Sequence, residues 1–401
     1  MRVLEERRRY TRGSLDALLE PGPGRVEPRC PFFGVCGGCS WQHLDYSLQV
    51  RAKTEILRDA LTRIGGLELA TPPPMTPSPR PYAYRNRTRV LMTGDGVGYR
   101  RRRSHRLCAV DRCPVLEPVL EQALARMSRR AATPPGASEP GPAATGAPDA
   151  EAVSGEADEG AEWELALGSD GEVRTAPVSG SEEGTPSSVC VSRHLDRQEN
   201  ERRSLLLRYG RERIAISPGV FAQGNAHLLE ALSSGVVGAA CGEGRGTRGE
   251  MPAAPLSSLV ELFSGAGFLT LPLARRFDRV VAMESHPAAV RDLRLNLREA
   301  GLAGVEVISA RVESGLRALR GERPDVVVLD PPRTGLARGA AQDLAALSAP
   351  RIVYLSCDPA TLARDVAELR LSNYQLVCVE GFDLFPQTPH VEALAVLERS
   401  D

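Results

Sequence analysis

The chain makes almost no use of lysine. Among its 50 Lys+Arg residues, Lys53 is the single lysine, a bias from which no function is read. It also lacks any run near the ~18 consecutive apolar residues of a membrane span, so no membrane partner is expected. The opening residues, "MRVLEERRRYTRG", lack the apolar stretch of a secretory leader, and a cytoplasmic location is expected. Its cysteines point away from a disulfide scaffold: there are nine, an odd number, spread over 401 residues. In a long cytosolic chain they point to metal binding or catalysis. What is plentiful is apolar: 42% of the residues, enough for a sizeable core in two or three domains of roughly 100–200 residues each.

The net charge of −1 conceals a segregation. Residues 1–130 hold 24 Lys+Arg against 13 Asp+Glu, whereas residues 131–190 hold 12 acids and only Arg174. A basic N-terminal third suits a polyanion such as nucleic acid; a solvated surface is the plain alternative. Residues 131–160 are rich in Ala, Pro, Gly and acids, with little to bury, and read as a disordered insertion that extends to about residue 190. Inside it, "EWELALGSDGEVRTAPV" reads as a hairpin turning at Gly168-Ser-Asp-Gly171. A second weak stretch, 241–255, reads as a loop insertion.

From about residue 256 the pattern changes. The runs "LVELF", "VVAME", "VEVISA", "VVVLD", "IVYLS" and "LVCVEGFDLF" are each one strand long, and helix-like segments separate most of them. One of these, "AAVRDLRLNLREAG", ends at Gly301. Apolar strands alternating with helices predict an α/β fold with a parallel sheet covered on both faces. In such sheets ligands lie beyond the carboxyl ends of the strands.

The residues just past those ends are informative. "ELFSGAGFLTLPLA" places Gly265 and Gly267 in a tight turn that backbone and ligand can share. Glu284 ends the second run, where an acid can accept both ribose hydroxyls of a nucleoside. The full G-x-G-x-x-G of dinucleotide folds is absent. Asp330 precedes two prolines, a rigid turn able to aim a carboxylate at a planar polar ring. Cys357, in "YLSCDPATLARD", stands before a helix, whose N-terminal partial charge would lower its pKa and favour a thiolate. Cys378, within a strand run, reads as inert packing. Glu392, in "FPQTPHVE", is a candidate general base.

"CPFFGVCGGCSWQH" spaces Cys30, Cys36 and Cys39 as C-x5-C-x2-C, and "RLCAVDRCPVLEP" adds Cys108 and Cys113. Thiolate sets of four hold zinc or iron–sulfur clusters. Structural zinc usually takes two C-x2-C pairs and only one is present; the Gly-Gly and Cys-Pro steps fit a cluster better. Beside these, "YAYRNRTRV" and "YRRRRSH" interleave Arg with Tyr, which suits phosphate contact and base stacking.

Taken together, "FAQGN", "ELFSGAGFLTLPLA", "DPPRTGL", "SCDPATLARD" and "FPQTPHVE", in this order over nearly the whole chain, resemble the motif set of the RNA uracil-C5 methyltransferases, which make 5-methyluridine from S-adenosylmethionine. The resemblance implies a Rossmann-like class I methyltransferase domain at 217–401. It implies a smaller α+β domain bearing an iron–sulfur cluster at 30–216, and a remnant of an N-terminal OB-like (TRAM) barrel at 1–29. It implies that Cys357 adds to uracil C6 and that Glu392 removes the C5 proton. Gln223, Phe263, Gly265 and Glu284 would contact S-adenosylmethionine, Asp330 would lie between cofactor and target base, and Phe221 would stack on one of them. The C-x5-C-x2-C…C-P pattern matches the family's ribosomal-RNA branch, which implies a four-iron four-sulfur cluster on Cys30, Cys36, Cys39 and Cys113, with Cys108 a bystander. A monomer acting on 23S ribosomal RNA is the expectation. The alternatives are a transfer-RNA enzyme and a non-catalytic RNA-binding homologue; an amino-directed methyltransferase is disfavoured by Arg333 after the prolines and by Cys357 itself. Three departures stand out: Phe268 replaces an asparagine, Asp358 follows the thiol, where its charge would raise the thiol pKa, and Ala310-Arg311 occupy a position that is usually acidic or amide.

Overall fold

The computed structural model describes residues 2–8, 10–132, 160–178, 204–243 and 257–400. Most of the acidic insertion at 131–190, and most of the weak stretch at 241–255, lie outside them.

The large sheet orders its strands β13-β12-β11-β14-β15-β17-β16-β3. Its central run comprises β11 (Ser258–Leu262), β12 (Arg279–Glu284), β13 (Val305–Ser309), β14 (Val326–Leu329) and β15 (Arg351–Ser356). These pair in parallel, and β14 and β15 are buried along their whole length, as a sheet covered on both faces requires. Two apolar clusters, one on each face, supply that cover. Of the crossover helices, α5 (Pro287–Glu299) starts on a His286 cap with Pro287 in its first turn and ends at Gly301, in the left-handed region at φ 70°. The helix after β15, α8 (Pro359–Arg370), is capped by Asp358.

The sheet departs from the parallel expectation at its far end. Strand β17 (Glu392–Arg399) lies antiparallel to both β15 and β16 (Tyr374–Phe382). The segment 383–391 is too short to hold a crossover, so β16 and β17 turn back on each other. Apolar runs alone carry no strand direction.

Several elements upstream of residue 217 pack on this sheet. Helix α1 (Tyr46–Arg63) buries Leu57 and Leu61 in the cluster that holds Leu362 and Val366 of α8. Strand β3 (Met75–Thr76) pairs with β16. The hairpin β9 (Leu205–Tyr209) and β10 (Glu212–Ile216) shares a core with Leu271 and Leu293.

A second sheet, β6-β5-β4-β7-β8, is antiparallel throughout. It comprises β4 (Arg87–Thr93), β5 (Gly96–Arg100), β6 (Leu107–Ala109), β7 (Ala161–Leu167) and β8 (Val173–Pro177). Helix α2 (Pro118–Ala132) covers one face through Leu120 and Leu124. The expected hairpin is β7–β8, closed by Gly171 N–H donating to Gly168 O at 3.0 Å. At the N-terminus, β1 (Arg2–Arg7) and β2 (Tyr10–Ser14) form a separate antiparallel pair.

Candidate active site

Strand register assembles the expected residues on one edge. Leu262 of β11 pairs with both Met283 and Leu329, so Phe263, Glu284 and Asp330, each one step further on, emerge side by side. Leu329 also pairs with Tyr354 of β15, which brings Cys357 to the same edge. The last pair between β15 and β17 is Ser356 with Ala393. One step beyond it, Cys357 faces Glu392 across two antiparallel strands. Residues from 263 to 392 in the sequence thus converge through strand registry.

The turn carrying Asp330 is clamped to the helix carrying the thiol. Tyr354 Oη and the Leu336 amide both donate to Asp365 Oδ2 of α8, at 2.7 and 2.8 Å. Arg364 donates to Thr334 O and Leu336 O, each at 3.0 Å, and Thr361 Oγ1 donates to Arg333 O at 3.2 Å. Gly335, at φ 70°, leaves room where a Cβ would meet Asp365 at 2.6 Å. This clamp holds the turn that carries Arg333, whose charge favours ionisation of Cys357. Sequence reasoning used Arg333 only as a family marker; its position as the cation facing the thiol depends on the fold.

The expected low thiol pKa is not realised. Burial pushes Cys357 up to about 11, Glu392 and Asp330 push the same way, and Arg333 opposes them. The helix N-terminus contributes little because its donors are taken: Asp358 Oδ1 accepts from Ala360 N and Thr361 N at 2.9 and 3.0 Å. Asp358, expected to disturb the thiol, is instead the helix cap. Burial raises Asp330 to about 7. Glu392 is held well above the carboxylate range by burial and then by Asp330, against Arg333; its Oε1 is buried without a hydrogen-bond partner.

Beside this group lies a narrow cavity lined by Gln223, Glu261, Phe263, Gly265, Phe268 and Asp330 among others. Phe263 adopts a left-handed backbone, φ 61°, a strain that collects at ligand sites. Gly265 N–H donates to Glu284 Oε2 at 2.9 Å, and the other carboxylate oxygen accepts from Ser285 N and His286 N, both at 2.7 Å. Gly267 is required by packing: a Cβ there would meet Leu271 and Leu293, each at 2.9 Å. Ser264 Oγ and Glu261 Oε2 are buried without partners, so the cavity wall offers polar atoms to a nucleoside-bearing ligand. Phe268, in place of asparagine, packs its ring on Tyr209 with centroids 4.7 Å apart. Ala310 N–H donates to Glu284 O at 3.0 Å, and Arg311 is the residue before helix α6 (Val312–Ala318).

Phe221, 70% exposed, lines both this cavity and a larger cleft of about 700 Å³. The cleft's walls hold Cys30, Cys36, Cys39 and Cys113, and arginines of both Arg/Tyr stretches, among them Arg85, Arg89 and Arg101. Cys108 is absent from that wall; it is 4% exposed and packed in the core under the small sheet. All cysteines among the described residues are free. Burial raises Cys30, Cys36 and Cys39, with Cys113 pushed up to about 12. The thiols Cys30, Cys39 and Cys113 are raised further by a neighbouring cysteine, and Arg85 opposes the shift at Cys36, Cys39 and Cys113. Among the described residues no three His, Cys, Asp or Glu side chains are arranged to hold a metal ion. The cleft joins the two sheets: Asn86 N–H donates to Gly224 O at 3.1 Å, beside Gln223.

Comparison with known proteins fits this geometry. Residues 253–400 match the family model of the tRNA (Uracil-5-)-methyltransferases. The chain is 31% identical to the 23S rRNA (uracil(1939)-C(5))-methyltransferase RlmD of Alkalilimnicola ehrlichii, over 98% of this chain and 88% of that protein. It is 31% identical to the protein of that name from Edwardsiella ictaluri, over 98% and 86%. Its fold resembles the crystal structure of Pyrococcus abyssi tRNA (uracil-54, C5)-methyltransferase bound to S-adenosyl-L-homocysteine, with a TM-score of 0.69, 24% identity, and 99% and 92% of the two chains covered.

Proposed function

The chain belongs to the family of RNA uracil-C5 methyltransferases, and we propose that it methylates C5 of a uridine in 23S ribosomal RNA through a bond between Cys357 and C6. The observation that carries this reading is the placement of Cys357 opposite Glu392 at the sheet edge, with Asp330 and Arg333 beside them. A non-catalytic homologue would have no use for that constellation. The choice of ribosomal RNA follows the named relatives; transfer RNA has a likeness of fold behind it.

C5 of uracil is too weak a nucleophile to react unaided. The target base, out of its stack, meets Cys357 at the sheet edge, and Sγ bonds to C6, making C5 nucleophilic. Arg333 favours the thiolate that this step consumes. S-adenosylmethionine, when bound, supplies the electrophilic methyl group. Gln223, Phe263, Gly265 and Glu284 would hold it, with Asp330 between it and the base. After transfer, the Glu392 carboxylate takes the C5 proton, the electron pair restores the C5–C6 double bond, and the C6–Sγ bond breaks. Burial favours the neutral thiol and the neutral Glu392 in the free protein, so each gives a proton to solvent before it acts: the thiolate then attacks C6, and the carboxylate takes the C5 proton.

The four cleft cysteines fit an iron–sulfur cluster better than a single ion. They line one wall, Cys36 Sγ accepts from Gly38 N at 3.4 Å, and the Gly37-Gly38 and Cys113-Pro114 steps suit a cluster. Cys30, Cys36, Cys39 and Cys113 would hold it. The Arg and Tyr side chains around them would take RNA phosphates and unstacked bases. We assign residues 1–29 to an OB-like segment, the cluster-bearing unit to 30–216, of which α1, β3 and the β9–β10 hairpin pack with the large sheet, and 217–401 to the catalytic unit of a cytoplasmic monomer.

The test supplies labelled S-adenosylmethionine with unmethylated 23S rRNA or with tRNA transcripts, and maps the product. Methyl label at C5 of a discrete rRNA uridine is expected. Label on tRNA alone would overturn the substrate assignment, and label on a base nitrogen would overturn the reaction.

A further inference from the structure

We propose that the buried Lys53–Asp383 ion pair is a positioning device for proton abstraction: it locks the segment 383–391, whose far end delivers Glu392 to the thiol. The inference rests on Glu392 being the base.

The chain writes nearly every cation as arginine, yet at position 53 it keeps its one lysine. That side chain is 0% exposed, as is Asp383 with which it pairs. The Lys53 ammonium also donates to Phe385 O at 2.9 Å, and Tyr46 Oη donates to the second Asp383 oxygen at 2.9 Å. A compact ammonium satisfies one carboxylate and one carbonyl; a guanidinium would bring five donors into the same sealed space.

The rest of the segment is held as firmly. Gln387, at φ 69°, exchanges hydrogen bonds with Gln49 of α1: Gln387 N–H donates to Gln49 Oε1 and Gln49 Nε2 donates to Gln387 Oε1, both at 2.9 Å. Ser40 N and Trp41 N, the residues just after Cys39, both donate to Gln387 O at 3.0 Å. Tyr84 Oη donates to Pro386 O at 3.1 Å. By contrast Glu392 Oε1 has no hydrogen bond of its own. The aim of that carboxylate is therefore inherited from its backbone, which its pairing with Phe382 and the segment held by α1 and the cysteine-bearing loop fix.

The experiment uses the full chain in single-turnover reactions with methyl-labelled S-adenosylmethionine and 23S rRNA, reading methyl incorporation and denaturant-stable protein–RNA adduct separately. Glu392→Gln is the reference and should accumulate methylated adduct. The double variant Lys53→Met/Asp383→Asn removes both charges and keeps an acceptor for Tyr46. It should transfer methyl within about twofold of the parent rate and bind RNA with a KM within about twofold, yet resolve its adduct at least roughly tenfold more slowly. The single Lys53→Met variant strands a buried charge and is expected to fold poorly, so the double variant decides. An unchanged adduct lifetime overturns the proposal, as does an equal fall in methyl transfer and resolution or a raised KM, the pattern of a merely structural pair. If Glu392→Gln resolves its adduct normally, the base assignment itself fails and this inference falls with it; the reference arm tells that case apart.

Discussion

The thiol at the edge of the large sheet and the four in the cleft wall are all raised first by burial, but their charged neighbours differ. At the catalytic edge, Cys357 is alone among carboxylates: after burial, Glu392 and Asp330 oppose its ionisation. In the cleft wall, after burial, Cys30, Cys39 and Cys113 are each opposed by a neighbouring cysteine, and arginines favour ionisation: Arg112 at Cys30, Arg85 at Cys39 and Cys113. Cysteines that raise each other's pKa find relief in a shared cation, because a metal converts mutual repulsion into common attraction. A thiol raised by carboxylates has no such use for a metal. It is relieved when substrate arrives to accept the sulfur's electron pair, and the same carboxylates are then in place to take a proton. On the proposed function, the charge of the neighbours, more than the thiol itself, is what would separate a ligand from a nucleophile.

The largest effect that could break this comparison is at Cys357. Cys357→Ala should abolish methylation, a loss of at least about a thousandfold, and should yield no linkage to RNA containing 5-fluorouridine. Iron content should be unaffected. Residual methylation at the parent rate would remove the covalent mechanism. Next in size is the contrast inside the cleft. Cys113→Ser should lose iron and sulfide from anaerobically purified protein, whereas Cys108→Ser should keep both. Stoichiometric zinc with no iron in the parent, or equal iron in both variants, would break the cluster assignment.

A smaller effect tests the one cation facing the nucleophile. Arg333 favours ionisation of both Cys357 and Glu392, so Arg333→Gln should move both groups further up. The pH–rate profile for adduct formation should shift to the alkaline side, and the rate near pH 7 should drop about tenfold if the thiol shifts by about one unit. A profile that keeps its position while KM alone rises would make Arg333 an RNA contact instead.

The sequence made the catalytic edge legible because a parallel sheet places its chemistry where apolar runs end. Cys357, Asp330 and Glu284 were each found as the first polar residue past a run, and the register joins them. Three things were not legible. The reversal of β17 was hidden because apolar composition has no direction, although that reversal brings Glu392 to Cys357. The rise of the thiol pKa was missed because the expectation weighed a local helix terminus, whereas burial and carboxylates from two other strands prevail. Lys53 was visible as an oddity of composition, but its partner Asp383 lies 330 residues away, and no local pattern connects them.

The smallest prediction asks whether buried charge costs stability at the catalytic edge alone. Glu261 of β11 is 2% exposed; burial raises it to about 8, and Asp330 and Glu284 push the same way. Its folded pKa lies above the unfolded value, so its contribution is fully present below the unfolded pKa and is lost as pH rises toward about 8. Across that window the unfolded chain ionises and the folded one does not. Near pH 7 the penalty amounts to about 3 kcal/mol. Glu261→Gln, which cannot ionise, should match the parent near pH 4 and melt several degrees higher near pH 8, leaving a residual slope from Asp330, which burial raises in the same direction. Calorimetric melting temperatures across this range provide the check. Parallel slopes in parent and variant would mean that the strand carboxylate is ionised in the fold, and the contrast between a carboxylate-dominated edge and a thiol-dominated cleft would lose its energetic basis.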